Sequence, residues 1–566
     1  MRLKDLLRKV HIQPPGAAYC TLYYEKAGTD FLHPTGIMHN SRNLILCTVL
    51  TVVIGTVFSV ALGNNFVGDD LTLTIGNPAY RDFLPDRIFR GLANGLEYLP
   101  VRDLSIALDY QIWGESPRGF HFTNLLIYLL TCLAVYWVTL LLGRHFNHDH
   151  PELLAGAAAL LFGLHPLQAE SVGLVACRNV LLSGLFTFLA AGCYLRFRVP
   201  LAPRRRLWLV NALFCFLLAS LSKATGLSLP LALLGIDLLS KKDRQMKKLV
   251  SLLPFFFLAA TFFILFRAIA LGSNIFGRGT DHGGILGNIA VALQIPWFYL
   301  SKLLLPLGLG TEYPDKFNTI LFSPVPLAAL AGLIVLLGTL AWSGSRYPIA
   351  AVAIVWFCAF LLPVLNLFRT YPTVADRYAF LPSYGFALLM AWGLNRLVVV
   401  RPKCGLSISI IIVMGWGTCT VLRLPTWQTE LSYWQDALVT NPKNAKATMA
   451  IGAHYYNSGH FDLALKYFAQ ARELDPNDPM YDYASGDHEL LQGNPRAAIP
   501  HLLRALGRKQ DNIMALLDLG DAYAAIGQRD NAIDAYRRIF SSTEIDPQEF
   551  YKRAAQAGLQ KLGSTP

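Results

Sequence analysis

The first 422 residues of this chain are filled by long apolar runs separated by short polar loops, and no other feature constrains its fold as strongly. The runs lie near 43–62, 119–143, 153–167, 177–195, 207–221, 225–240, 249–271, 288–306, 327–342, 349–366, 378–395 and 406–422. A helix needs about 20 apolar residues to cross the hydrocarbon core of a bilayer. Within that core the backbone must satisfy its own hydrogen bonds, which restricts apolar runs of this length to helices. With 54% hydrophobic and only 15% charged residues, the chain is no disordered segment, fibre or ordinary soluble enzyme. After Trp427 the apolar runs stop and the sequence looks soluble.

The net charge of +12 is no nucleic-acid signature, because the basic residues sit in short loops between apolar runs. Arg2, Lys4, Arg8 and Lys9, the stretch Arg196–Arg206 and the stretch Lys241–Lys248 fall on one side, which dense Lys/Arg marks as cytoplasmic. The opposite side carries the long loop 64–118, with eight acids and five arginines. The run at 288–306 has Pro296 inside and Pro306 at its edge, and we read it as interfacial or re-entrant. That choice gives eleven spans. The expected organisation is a cytoplasmic segment 1–42, a transmembrane domain 43–425 with external loop 64–118, and a non-cytoplasmic domain 426–566. Nine cysteines include no C-x-x-C pair and no zinc spacing.

The soluble tail repeats itself every 34 residues. Gly452, Gly486 and Gly520 recur at that period, as do Gly459, Gly493 and Gly527, and Ala464, Ala498 and Ala532. A period of 34 with small residues where paired helices cross is the tetratricopeptide signature. Three repeats, preceded by a half-repeat carrying Trp434, reach the number needed for a stacked core. The expected fold class is thus mainly α: a polytopic helical membrane domain followed by an α-solenoid. Such a solenoid holds peptides or proteins in its concave face.

Candidate chemistry lies at the ends of the spans. Asp69 and Asp70 open the external loop, which also carries Arg81, Arg87, Arg90 and Arg102. Adjacent acids in a loop are commonly a solvated turn. The remaining polar islands fall on the same side, however: His165 to Glu170 with Arg178, then Lys223, then Arg369, Asp376 and Arg377. Ionisable residues at a membrane boundary are costly unless paired or functional. Each island alone also reads as an interfacial anchor.

FVGDDLTLTIGNP, LHPLQAESVGLVACRNVLL, LSKATGLSLPLALLGID and LPVLNLFRTYPTVADRYAFLPSYGFAL, taken in order, resemble the transmembrane-and-tetratricopeptide-repeat O-mannosyltransferases and their bacterial relatives, within the GT-C superfamily of glycosyltransferases. The resemblance covers both membrane domain and repeats. It departs in having about three repeats where eukaryotic members carry more, and Asp376 where Glu is expected. It implies a GT-C membrane fold and an inverting transfer of a sugar, mannose among the options, from a polyprenyl phosphate to an acceptor hydroxyl. In that reading Asp69 is the base, and Asp70 orients the acceptor or binds a divalent cation, no cofactor being otherwise required. Arg377, Arg81, Lys223 and Arg178 hold the donor phosphate. His165, Glu170, Asp376 and Arg369 line the sugar or acceptor pocket. The expected partners are the lipid-linked sugar, membrane lipids, and an acceptor protein or glycan held by the repeats, with no nucleic acid. The expected location is a bacterial inner membrane, with the repeats in the periplasm. A membrane-tethered scaffold without catalysis, a lipid-linked-sugar flippase and an O-antigen-ligase-like transferase are the competing readings.

Overall fold

The computed structural model describes residues 41–73, 77–90, 98–200, 202–240, 249–272, 282–344, 346–367, 372–542 and 550–565. The N-terminal basic cluster, the stretch Lys241–Lys248 and Arg369 lie outside the described residues. Among the described residues all regular structure is helical. The chain divides into two compact units, Met1–Leu309 with Asp315–Thr429, and Gly310–Pro314 with Glu430–Pro566.

The first unit is an integral, multi-pass membrane bundle. Eight helices are long and apolar enough to cross a bilayer, among them Ser41–Gly63, Pro117–His145 and Val175–Arg198. Three further apolar helices are shorter: Pro151–Gly163, Ala224–Leu239 and Pro348–Val364. Many of these helices begin on proline, as at Pro117, Pro151, Pro324, Pro348 and Pro402. There the missing N–H costs nothing and the fixed φ favours a first turn. Pro117–His145 is the longest at 29 residues and is buried along most of its length. It packs on Ser41–Phe58, Pro151–Gly163 and Arg178–Arg198. Close helix approach uses small residues, as expected where packing rather than hydrophobicity drives association. A Cβ built on Gly385 would stand 2.4 Å from the Ala353 carbonyl oxygen, so only glycine fits there.

The run at 288–306 forms the helix Ile285–Leu304, which continues through Pro296 and is not among the eight long apolar helices. Its flanks are tied down. Gln294 Nε2 donates to the Asn318 carbonyl at 2.7 Å, its Oε1 accepts the Asn318 N–H at 3.1 Å, and Trp297 Nε1 donates to the Ala329 carbonyl at 3.1 Å.

The described residues of the loop 64–118 form short helices, Asp69–Leu73, Pro78–Arg81, Pro85–Arg90 and Pro100–Trp113. They enclose a small core of Tyr80, Ile88, Ile106, Tyr110, Phe120 and Val175. Beside it the buried Arg102 donates Nε to Asp103 at 2.7 Å, and Tyr80 Oη donates to the same carboxylate at 3.0 Å.

In the second unit three helix pairs follow in order: Ala445–Asn457 with Phe461–Leu474, Met480–Leu491 with Pro495–Arg508, and Ile513–Ala525 with Arg529–Ser541. The helices Glu430–Thr440 and Phe550–Lys561 flank them. Both glycine series have their reason here. A Cβ on Gly452, Gly486 or Gly520 would meet Phe468, Leu502 or Tyr536 at 2.7, 2.7 or 2.4 Å. Gly459, Gly493 and Gly527 hold φ of +77°, +79° and +80° at the turns between paired helices, a conformation that glycine adopts without strain. The segment Gly310–Pro314 belongs to this unit. Thr311 donates its N–H to Asp436 at 2.9 Å and its hydroxyl to the Tyr433 carbonyl at 3.1 Å.

Candidate active site

Gly68 takes φ +54°, and this left-handed turn starts the short helix Asp69–Leu73 directly after the first span. The turn sends the two acids different ways. Asp70 is completely buried: its Oδ1 accepts the Ala176 N–H at 2.6 Å and its Oδ2 the Val67 N–H at 3.4 Å. Burial pushes this carboxyl up to about 7, the backbone N–H groups pull it down, and neighbouring Asp69 adds to the rise. Asp69 is only partly buried. Asp70 thus fastens the turn, while Asp69 is left available at its surface.

The second part of the site comes from two segments far apart in sequence. Glu170, on the helix Gln168–Gly173, is 3% exposed in its side chain, and Arg377, on the turn Asp376–Ala379, is 16% exposed. Glu170 Oε2 accepts the Arg377 backbone N–H at 2.6 Å, and Oε1 accepts from Arg377 Nη1. One carboxylate therefore fixes both the backbone and the guanidinium of Arg377. Asp69 lies close enough to Arg377 for their charges to interact. Lys223, where the helix Arg205–Ser222 ends, places Nζ 5.5 Å from the centre of the Tyr378 ring, and the Arg377 guanidinium lies at the same distance from that ring. The buried Cys177 feels the charges of Glu170, Arg377, Lys223 and Asp70 together. Three acids and two cations from four separate segments thus lie within charge-interaction range of one region, Asp69 and Arg377 among them.

Other expected residues are placed differently. Arg178 is no phosphate ligand. It is fully buried and donates Nη1 to Ser105 at 3.0 Å, Nη2 to Asp109 at 2.7 Å and to the Phe120 carbonyl at 2.9 Å, and Nε to Asn124. Removing one partner from such a buried pair costs about 3–5 kcal/mol, which makes Arg178 a folding residue that joins Pro100–Trp113 to the bundle. Arg81 pairs on the surface with its neighbour Asp82 at 2.9 Å, both side chains nearly half exposed. His165 is buried and uses both ring nitrogens internally: its Nε2–H donates to the Leu303 carbonyl at 2.9 Å and its Nδ1 accepts the Leu167 N–H at 3.2 Å, with Trp416 against the ring. One nitrogen thus serves the last turn of Ile285–Leu304 and the other the start of Gln168–Gly173. Glu170 holds Arg377, and Asp376, which opens the turn, is 2% exposed. Both oxygens of Asp70 are engaged by the backbone, and no group of three His, Cys, Asp or Glu residues suited to a metal ion occurs among the described residues.

Tyr378 and Tyr299 escaped the reading of the sequence. Tyr378 directly follows Arg377, a position that could have marked it as a platform for a neighbouring cation. Tyr299 is buried in a run read only for its hydrophobicity, yet it donates to the Ala375 carbonyl at 3.0 Å and accepts the Ala375 N–H at 3.2 Å.

Tetratricopeptide-repeat family models match residues 445–478 and 483–549. A protein O-mannosyl-transferase of Caenorhabditis elegans is 27% identical over 470 residues, covering 77% of this chain and 63% of that protein. The protein O-mannosyl-transferase TMTC3 of Mus musculus is 25% identical over 485 residues, covering 76% of this chain and 51% of that protein. The chain thus spans between about half and under two thirds of the length of these relatives. Among solved structures, the archaeal oligosaccharyltransferase AglB of Archaeoglobus fulgidus, in complex with an inhibitory peptide and a dolichol-phosphate, aligns at a TM-score of 0.40 and 13% identity, over 76% of this chain and 60% of that one.

Proposed function

We propose that this chain, a relative of the transmembrane-and-tetratricopeptide-repeat O-mannosyltransferases, is a GT-C-type membrane glycosyltransferase that moves a sugar from a polyprenyl-phosphate donor to a hydroxyl on the non-cytoplasmic face. The relatives' name, protein O-mannosyl-transferase, supports mannose as the sugar and a protein hydroxyl as the acceptor, which we take to be that of Ser or Thr. The observation that carries this reading is the anchored guanidinium of Arg377, held by Glu170, within charge-interaction range of the partly exposed carboxylate Asp69 at the ends of membrane helices.

Transfer to a hydroxyl needs a base near the acceptor and positive charge where the phosphate departs. Asp69 takes the acceptor proton as its oxygen attacks the anomeric carbon, and the bond from that carbon to the phosphate oxygen breaks. Arg377 and Lys223 receive the negative charge that builds on the departing polyprenyl phosphate. Because Glu170 already holds the Arg377 backbone, the guanidinium needs little reorganisation when the charge appears. A single displacement inverts the anomeric centre. Asp70 is completely buried, with a backbone N–H on each oxygen, and this favours the partly exposed Asp69 as the base.

The test uses the full-length protein, a labelled polyprenyl-phosphate mannose and a Ser/Thr-bearing acceptor. The protein should release free polyprenyl phosphate in step with acceptor labelling. Asp69→Asn, which keeps size but cannot accept the proton, should slow transfer roughly 10²–10⁴-fold. No release by the unaltered protein overturns the proposed activity; near-normal turnover by the variant moves the base to another carboxylate.

A further inference from the structure

The helix Ile285–Leu304 bonds to the chain just before each member of the Glu170–Arg377 couple. Tyr299 and Leu303 stand four residues apart, so their side chains share a face, and both are fully buried. Tyr299 clamps the Ala375 peptide by its N–H and its carbonyl, two residues before Arg377. The Leu303 carbonyl accepts from His165, five residues before Glu170. The opposite flank is itself fixed, through Gln294 to Asn318 and Trp297 to Ala329. At the C-terminal end Lys302 Nζ donates to the Leu307 and Gly308 carbonyls at 2.7 and 2.8 Å. A helix anchored on one side and bonded to both functional segments on the other sets their separation.

We propose that this helix is the splint of the donor-phosphate site, and that Tyr299 is the positioning residue through which it acts on Arg377. The inference rests on the reading of Arg377 as the phosphate ligand. A single hydroxyl meets both polar atoms of Ala375, whose carbonyl also accepts the Tyr378 N–H at 3.1 Å inside the turn. Losing that hydroxyl leaves the buried Ala375 N–H without its partner and leaves the carbonyl only the Tyr378 N–H, which frees the approach to the turn to shift. A shift at Ala375 moves the Arg377 guanidinium away from the phosphate without removing any group that touches substrate.

The experiment is a donor titration of the full-length enzyme with Tyr299→Phe, Arg377→Ala and the double variant. Tyr299→Phe should raise the donor KM about tenfold while kcat falls less, and should add nothing further in the Arg377→Ala background, because it acts through that residue. A lower kcat at unchanged KM, as from a smaller folded fraction, or a fully additive effect in the double variant, overturns the splint. A protein that releases no polyprenyl phosphate fails at the proposed function instead. Hydrogen exchange on the unaltered protein decides the splint without activity and without a variant that must fold: the Ala375 amide should be strongly protected, and exchange at the rate of an open loop overturns the proposal.

Discussion

Arg377 meets Glu170 through its backbone N–H and one guanidinium nitrogen, and its charge interacts with that of Asp69. A lysine at this position would keep a charge and the backbone bond but lose the planar fork that matches phosphate oxygens. Arg377→Ala should therefore raise the donor KM by roughly 10²-fold, and Arg377→Lys by roughly tenfold, read in the same donor titration. Equal and mild effects of the two would make Arg377 an interfacial anchor. At this scale the residue types were legible, because Asp69, Asp70, Lys223 and Arg377 are ionisable groups at the ends of apolar runs, where chance rarely leaves them. Their pairing was not. Glu170 and Arg377 are separated by 207 residues, and nothing local distinguishes Arg377, which is partly open, from Arg178, which is sealed against Asp109 and Asn124.

At the scale of elements, the repeats were the most legible part, since each contact that requires a small residue recurs within one helix pair. Gly486 faces Leu502 as Gly452 faces Phe468, so the three-dimensional constraint appears directly as a sequence period. The helix Ile285–Leu304 was the least legible, because Pro296 and its scattered polar residues obscure its hydropathy while its role depends on Ala375 and His165 far away. The eleven expected spans correspond to eight long helices and three shorter ones, and length alone does not decide how the shorter ones meet a bilayer. One charge was invisible as well. Burial, with Asp487 and Asp521 nearby, pushes Asp518 from an ordinary 3.8 up to about 8, against a hydrogen bond from Tyr483. The folded repeats then hold a proton that the unfolded chain gives up above about pH 4. This contribution to stability is full below that pH and is lost as pH rises through about 8. The repeat unit should accordingly melt several degrees lower at pH 8 than at pH 5, and Asp518→Asn should flatten the difference, followed by a repeat-specific probe in the full chain. An unchanged slope in the variant would put the titrating group elsewhere.

At the scale of the whole molecule the chemistry and the repeats lie in separate compact units, and the residues proposed for catalysis all belong to the first. The proposed division of labour is that the membrane unit transfers sugar while the repeats hold the acceptor. A clean truncation must respect Gly310–Pro314, which bonds to the helix Glu430–Thr440 through Thr311 to Asp436 and Tyr433, and through Thr440 to the Glu312 carbonyl at 2.9 Å. Ending the chain after Pro442 keeps those bonds and removes the three repeats and the terminal helix together, so no broken solenoid remains. A tethered acceptor gains effective concentration at the site, and this gain disappears with the repeats. The truncated protein should bind donor as before and label a short free acceptor within about threefold of the full chain, while labelling of a large protein acceptor falls at least about tenfold. Both acceptors are measured side by side in one detergent, with donor binding as the control for folding. Equal loss on both acceptors, with donor binding intact, would mean that the repeats complete the catalytic site. No loss on either would make them a docking platform for a partner that is not the substrate.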